Sequence, residues 1–127
     1  MPVQAKSNSF RMSPRKVSVV ASLVRGRTVA DALVILEHTP RRSADPVKKA
    51  ILSASANAEH NHSYKPGTLY ITRISVSSGP RYRRYRAAAR GRALRFARKT
   101  SHILVEVDGD KRNIKKPAVK TEPKEKK

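Results

Sequence analysis

The stretch YITRISVSSGPRYRRYRAAARGRALRFARKTSHILVEV, residues 70–107, decides the fold. Its two ends read as strands. Tyr70, Thr72, Ile74 and Val76 alternate with Leu69, Ile71, Arg73 and Ser75, a period of two rich in β-branched residues. From Thr100 to Val107, the side chains of Ile103, Val105 and Val107 fall on one face of a second strand. Between them lie Gly79-Pro80 and a basic block from Arg81 to Lys99. If the strands pair antiparallel, the chain folds back near Ala88, and residues 80–98 become two arms of a long ribbon. At ~3.3 Å per residue each arm reaches about 30 Å. The arms hold Arg, Tyr and Ala and have almost nothing to bury. A two-stranded ribbon is marginal in water, so this one is expected to project and to be held by something else.

Upstream the period is helical. Ser13-Pro14 reads as a hydroxyl cap followed by proline at the first helical position. Val17, Val20, Ala21 and Val24 then form a buried stripe, and Gly26 ends the helix as a left-handed cap. Thr28 caps a second helix with Asp31 in its first turn and Val29, Ala32, Leu33 and Leu36 as its apolar face, closed by Pro40. Asp45-Pro46 opens a third, whose seam of Val47, Ala50, Ile51, Ala54 and Ala58 is narrow enough to let another backbone come close. Lys65-Pro66-Gly67 is a turn, and Val3 to Ser9 alternates weakly enough to add only an edge strand. The expected fold is α+β: three helices packed on a small antiparallel sheet, with a long protruding β-hairpin. The expected organisation is one domain over residues 1–108, with the hairpin at 80–98, and a basic disordered tail at 109–127.

Charge narrows the function. The 127 residues carry 29 Lys+Arg against 9 Asp+Glu, a net charge of +20, which makes a compact chain repel itself unless a polyanion neutralises it. Acidic residues are absent before Asp31 and again between Glu59 and Glu106. The block from Arg81 to Lys99 is dominated by Arg, the fork-shaped phosphate binder. Tyr82, Tyr85 and Phe96 interleave with Arg83, Arg84, Arg86 and Arg95, a mixture that suits phosphates and exposed bases, although aromatics also pack across a ribbon. Tyr82 and Phe96 are placed to face each other, and Tyr85, nearer the tip, has fewer neighbours.

Other chemistries find little support. With no cysteine there is no disulfide, thiol nucleophile or zinc finger. The acids are scattered, and the only site-like cluster, Glu59-His60-Asn61-His62, offers no third converging metal ligand. It reads instead as a polar helix end with Asn61 as terminator, or as a face where Asn57, His60 and Asn61 hydrogen-bond RNA. No catalytic residue, metal or cofactor is expected. His102 is expected on a strand face, toward phosphate or solvent. No apolar run approaches a membrane span, and the polar segment from Met1 to Arg11 lacks the apolar stretch of a signal peptide, so a cytosolic protein with no membrane partner is expected.

The order of several short blocks is more specific. Ser13-Pro14-Arg15-Lys16-Val17, Arg25-Gly26-Arg27, Ser53-Ala54-Ser55-Ala56-Asn57-Ala58-Glu59-His60-Asn61, Gly91-Arg92-Ala93 and Thr100-Ser101-His102-Ile103 follow one another. From Ser9 to about Asp108 the chain resembles the bacterial large-subunit ribosomal protein family L-twenty-two. The resemblance implies a body on the outside of the large subunit and a hairpin that lines the nascent-peptide exit tunnel. It implies binding to large-subunit rRNA across several domains and a part in assembly. The implied partners are that rRNA, neighbouring large-subunit proteins and the nascent polypeptide, with no homo-oligomer. The implied RNA contacts are Arg11, Arg15, Lys16, Arg25, Arg27, Asn57, His60 and Asn61 on the body. On the ribbon and its continuation they are Arg81, Arg83, Arg84, Arg86, Arg90, Arg92, Arg95, Arg98, Lys99 and His102. The tunnel-facing tip is Tyr85, Arg86, Ala87, Ala88, Ala89, Arg90 and Gly91. The chain departs from the family at Ala87 and Ala88, where Pro and Arg are usual, and at Ser18, where a basic residue is common.

From the residues alone the competing function is an architectural DNA-binding protein with a basic β-ribbon arm. Such arms carry an apolar wedge at the tip, and Ala87-Ala88-Ala89 is too small for one. Because the cations are spread over helices, ribbon and tail, many phosphates are neutralised together. Affinity for rRNA is expected to fall steeply with salt, with a log–log slope of magnitude about 6 or more. Filter binding across a salt series measures it, and a slope near 1 or 2 would contradict polyelectrolyte binding.

Overall fold

The computed structural model describes residues 2–112. In chain order it has strand β1 (Val3–Phe10) and helices α1 (Pro14–Val24), α2 (Val29–His38) and α3 (Ala44–His62). A short 3₁₀ turn at Pro66–Thr68 leads to two long strands, β2 (Tyr70–Ala87) and β3 (Ala93–Asp108). The sheet is antiparallel in the order β1-β3-β2, so the last strand is central and Val3–Phe10 is an edge. The fold is the expected α+β arrangement.

One sheet face builds the core. Val3, Val107 and Ile71 form one row across the three strands, and Ala5, Val105 and Ile74 form the next. All six are buried. Against them lie Val17, Val20, Ala21 and Val24 of α1, with α1 packed on β2. The seam Val47, Ala50, Ile51, Ala54 and Ala58 is buried too, and the backbone it admits is the protein's own edge strand β1. Small side chains there let a helix approach a sheet closely, and each buried Ile or Val adds roughly 1.5–3 kcal/mol of apolar transfer.

Several local expectations are corrected. The faces of β2 are not a strict alternation. The register shifts between Ile71 and Arg73, so Thr72 is an extra residue and Ile71 joins Ile74 on the core face. The Ser13 hydroxyl makes no cap bond; its carbonyl accepts from Lys16 and Val17 N–H instead. Gly26 (φ +75°) follows an extended Arg25, and Arg27 N–H reaches Val24 O at 3.4 Å, which is a tight turn after the helix rather than a left-handed cap. The third helix starts at Ala44 and runs past Asn61 to His62, ending at Ser63 in the left-handed region (φ 55°). Thr28 caps as expected: its Oγ1 accepts from Asp31 N–H at 3.2 Å. The reversal of the ribbon is centred on Arg90 (φ 58°) and Gly91 (φ 70°), two residues beyond Ala88, because Ala87 still pairs with Ala93.

Residues 109–112 hydrogen-bond to the body. Lys65 N–H donates to Asp110 O at 2.9 Å, Arg112 N–H donates to Ser63 O at 2.7 Å, and the Arg112 guanidinium pairs with Glu59 at 3.0 Å. Tyr64 is buried beside them, and burial together with the neighbouring Asp108 carboxylate pushes its phenol above the ordinary value. The remainder of the expected tail lies outside the described residues.

Body and ribbon meet at a second irregularity, between Ser78 and Arg81. Pro80 has no N–H to offer a ladder, so it fits a bulge. The buried Thr100 hydroxyl donates to Pro80 O at 2.7 Å. A Cβ on Gly79 would lie 2.5 Å from Thr100 Oγ1 and 3.1 Å from His102 Nε2, whereas one on Gly67 would meet nothing within 4 Å. We therefore expect Gly79→Ala to destabilise by about 1–3 kcal/mol through overpacking, and Gly67→Ala to change stability by less than about 0.5 kcal/mol. Thermal melts of the two variants check this; equal midpoints would contradict it.

Candidate nucleic-acid interface

Beyond Gly79 the same two strands leave the core and become the hairpin. Arg81 pairs with Lys99, Tyr82 with Arg98, Arg83 with Ala97, Arg84 with Phe96, Tyr85 with Arg95 and Arg86 with Leu94. The pleat sorts these into two faces. One carries Tyr82, Arg84 and Arg86 with Arg98, Phe96 and Leu94; the other carries Arg81, Arg83 and Tyr85 with Lys99, Ala97 and Arg95. Tyr82 and Phe96 are thus diagonal neighbours on one face rather than directly opposed. Every residue from Arg81 to Lys99 is exposed except Ala88, which is half-buried. Leu94 and Tyr85 are 59% and 63% exposed, so the ribbon has no core of its own.

Nine cations sit between Arg81 and Lys99 with no carboxylate among them. Among the described residues the ion pairs are Lys48–Glu37 and Arg112–Glu59, both on the body. The Lys48 ammonium, bonded to Glu37, holds that carboxyl below its ordinary range. Three of the hairpin cations lie over aromatic faces instead. Arg86 and Arg98 lie 5.7 and 5.8 Å from the Phe96 ring centre, and Arg95 lies 5.9 Å from that of Tyr85. Such contacts contribute ~0.5–1 kcal/mol at exposed sites and leave the guanidinium charge in place.

The hairpin root is where body and ribbon cations converge. The first strand ends in a kink: Ser9 has φ 56°, the register slips between Ser7 and Phe10, and Met12 N–H turns back to Phe10 O at 2.8 Å. His102 secures the kink, its Nδ1 accepting from Ser9 N–H at 3.0 Å. A neutral imidazole so placed carries its proton on Nε2. This bend delivers Arg11 to a groove lined by Ser9, Tyr82, Arg84, Phe96 and Arg98. A second groove shares Arg11, Tyr82 and Arg98 and adds Lys16, Arg42 and Lys99. A third, lined by Pro14, Arg15, Ser78, Arg81 and Lys99, opens nearby. Of the residues singled out from sequence, the structure thus brings together Arg11, Arg15, Lys16, Arg81, Arg84, Arg98 and Lys99. Arg42 joins them unanticipated. The signal was the Arg41-Arg42 pair directly after Pro40, in the loop between two apolar helix stripes.

Other named residues lie elsewhere. Arg25 Nη2 donates to Ile74 O at 3.1 Å and Arg27 Nε to Leu23 O at 3.0 Å, so both guanidinia brace the body while remaining exposed. Asn57 donates to Gln4 O at 3.4 Å, tying α3 to β1. His60 and Asn61 are exposed near the end of α3. Arg83, Arg86 and Arg95 lie on the arms, Arg90 sits in the turn itself and Arg92 directly follows it, where Ala88 N–H donates to Arg92 O at 2.8 Å. Among the described residues no three His, Asp or Glu side chains cluster as metal ligands, and no helix is long and apolar enough to cross a membrane.

The chain matches the family model for ribosomal protein L22p/L17e over residues 5–108, which takes in the body and the whole hairpin. It is 45% identical over 108 residues to the large ribosomal subunit protein uL22 of Herpetosiphon aurantiacus, covering 85% of this chain and 96% of that one. It is 44% identical over 108 residues to the protein of the same name from Thermomicrobium roseum, covering 85% and 92%. The chain is a member of the L22p/L17e family of ribosomal proteins.

Proposed function

We propose that the protein is a structural, non-catalytic constituent of the large ribosomal subunit in the cytoplasm, bound to rRNA chiefly through its hairpin and hairpin root. The observation that carries this is the projecting ribbon: nine cations, no carboxylate and no buried side chain between Arg81 and Lys99. Such an element is stable in an extended form only when polyanion surrounds it. The root grooves, with Arg11, Arg15, Lys16, Arg42, Arg81, Arg98 and Lys99, seat the body on RNA. Arg83, Arg84, Arg86, Arg92 and Arg95 bind phosphates along the arms. Arg25, Arg27, Asn57, His60 and Asn61 add body contacts, and His102 acts by holding the kink that presents Arg11. Family membership favours this reading over a DNA-binding ribbon, and the three alanines at the tip agree, being too small to wedge between base pairs.

The tip, Tyr85 to Gly91, faces the aqueous lumen of the nascent-peptide tunnel in this reading. Ala87, Ala88 and Ala89 offer no side-chain donor, so these three residues of the tip add little to anchoring and act sterically on a passing nascent chain. The arms do the reverse. Each charge-assisted bond to phosphate contributes ~1.5–3 kcal/mol before solvent screening reduces it. Deleting Ala87 to Ala89 should therefore leave incorporation into large subunits near wild type while changing the response to tunnel-binding inhibitors or stalling peptides. Replacing Arg83, Arg84, Arg95 and Arg98 together by Ala should deplete the protein from subunits. Sedimentation with quantitation of subunit occupancy, alongside inhibitor sensitivity, checks both. A tip deletion that abolishes occupancy while the arm variant assembles normally would contradict this division of roles.

A further inference from the structure

The hairpin exposes three aromatic rings, and the structure treats them differently. Both Arg86 and Arg98 lie over the ring of Phe96, and Arg95 lies over that of Tyr85. Among the described residues no Lys or Arg occupies the ring of Tyr82 in this way. That ring is 45% exposed, and it lines both of the adjoining root grooves. Arg11 and Arg98 line both grooves with it, Arg84 lines the first, and Lys16, Arg42 and Lys99 line the second. The unoccupied aromatic face therefore lies where six cations line two adjoining grooves.

We infer that Tyr82 is a stacking platform for one unpaired RNA base, with Arg11, Arg84 and Arg98 holding the phosphates that flank it. This rests on the reading of the hairpin root as an RNA interface and deepens it, since it specifies the form of RNA taken. A base within a duplex has both faces covered by its neighbours, and side chains cannot read the deep, narrow major groove of A-form RNA. A free aromatic face selects a base already splayed from a loop, a bulge or a single strand. Stacking on a ring is tolerant of base identity. The selection is then for strandedness and not for sequence. The phenol hydroxyl takes no part, so phenylalanine serves equally well.

The test uses the full chain with two probes of matched charge: a single-stranded oligoadenylate and an RNA duplex. Tyr82→Leu should weaken oligoadenylate binding about tenfold, in the lower part of the range for losing one base from an aromatic stack. It should change duplex binding by less than about twofold, because phosphate contacts persist. Tyr82→Phe should bind both probes as wild type does. Tyrosine emission gives an independent reading without a disruptive substitution, since the chain has 4 Tyr and no Trp. The difference between wild type and Tyr82→Phe isolates Tyr82, and its emission should be quenched by oligoadenylate and not by duplex. Equal weakening of both probes in Tyr82→Leu, or no weakening of either, or no selective quenching, overturns the inference while leaving RNA binding at the root intact. If the wild-type chain binds neither probe, the RNA-interface reading fails and this inference with it.

Discussion

Two strands do two incompatible jobs, and the rest of the structure follows from that. Up to Ser78, β2 contributes Ile71 and Ile74 to a buried layer; beyond Arg81, it contributes Tyr82, Arg83, Arg84 and Tyr85 to solvent. The partner strand mirrors it, with Ile103, Val105 and Val107 inside and Lys99, Arg98 and Arg95 outside. Strand pairing resumes beyond the bulge and runs out to Ala87 and Ala93, so the ribbon inherits its direction from the core. It inherits no burial. The bulge at Gly79-Pro80, with Thr100 and His102 packed against it, marks the change. Past that point the ladder holds two arms whose like charges repel.

The body is shaped around this task. It uses small residues, Ala50, Ala54 and Ala58, to bring α3 against the sheet, and it leaves the hairpin root uncovered. The chain reverses between β1 and α1 directly beside that root. Arg11, Arg15 and Lys16 consequently join cations from the ribbon although the two groups are far apart in sequence. Concentrating positive charge this way costs stability in the free protein and is offset when phosphate binds only the folded form.

Much of this was legible before any coordinates. The stripes of Val17, Val20, Ala21 and Val24 and of Val47, Ala50, Ile51, Ala54 and Ala58 are buried as their spacing implies, since period reports the face an element must hide. The hairpin was legible because its composition forbids burial. What was not legible depended on single-residue slips and on tertiary proximity. The extra residue Thr72 swaps the faces of β2, and alternation carries no mark of a bulge. The turn centre at Arg90 required the register, because Arg is an unusual occupant of the left-handed region and Ala88 looked equally suitable. Ser13 has the right side chain for a cap, yet its hydroxyl is not used. Arg42 belongs to the root only because the loop after α2 packs there. His102 gave no sequence hint that it would accept a bond from Ser9, ninety-three residues away along the chain.

The central claim is that the ribbon has order without self-sufficiency: the core fixes its origin, and only bound RNA fixes its length. Amide hydrogen exchange of the free protein, repeated with rRNA bound, measures this residue by residue. In the free protein we expect slow exchange at Ile71, Ile74, Ile103 and Val105 and fast exchange from Arg81 to Arg98, with the fast segment slowing markedly in the complex. Equal protection of the two regions in the free protein, or no gain in the ribbon on binding rRNA, would contradict it.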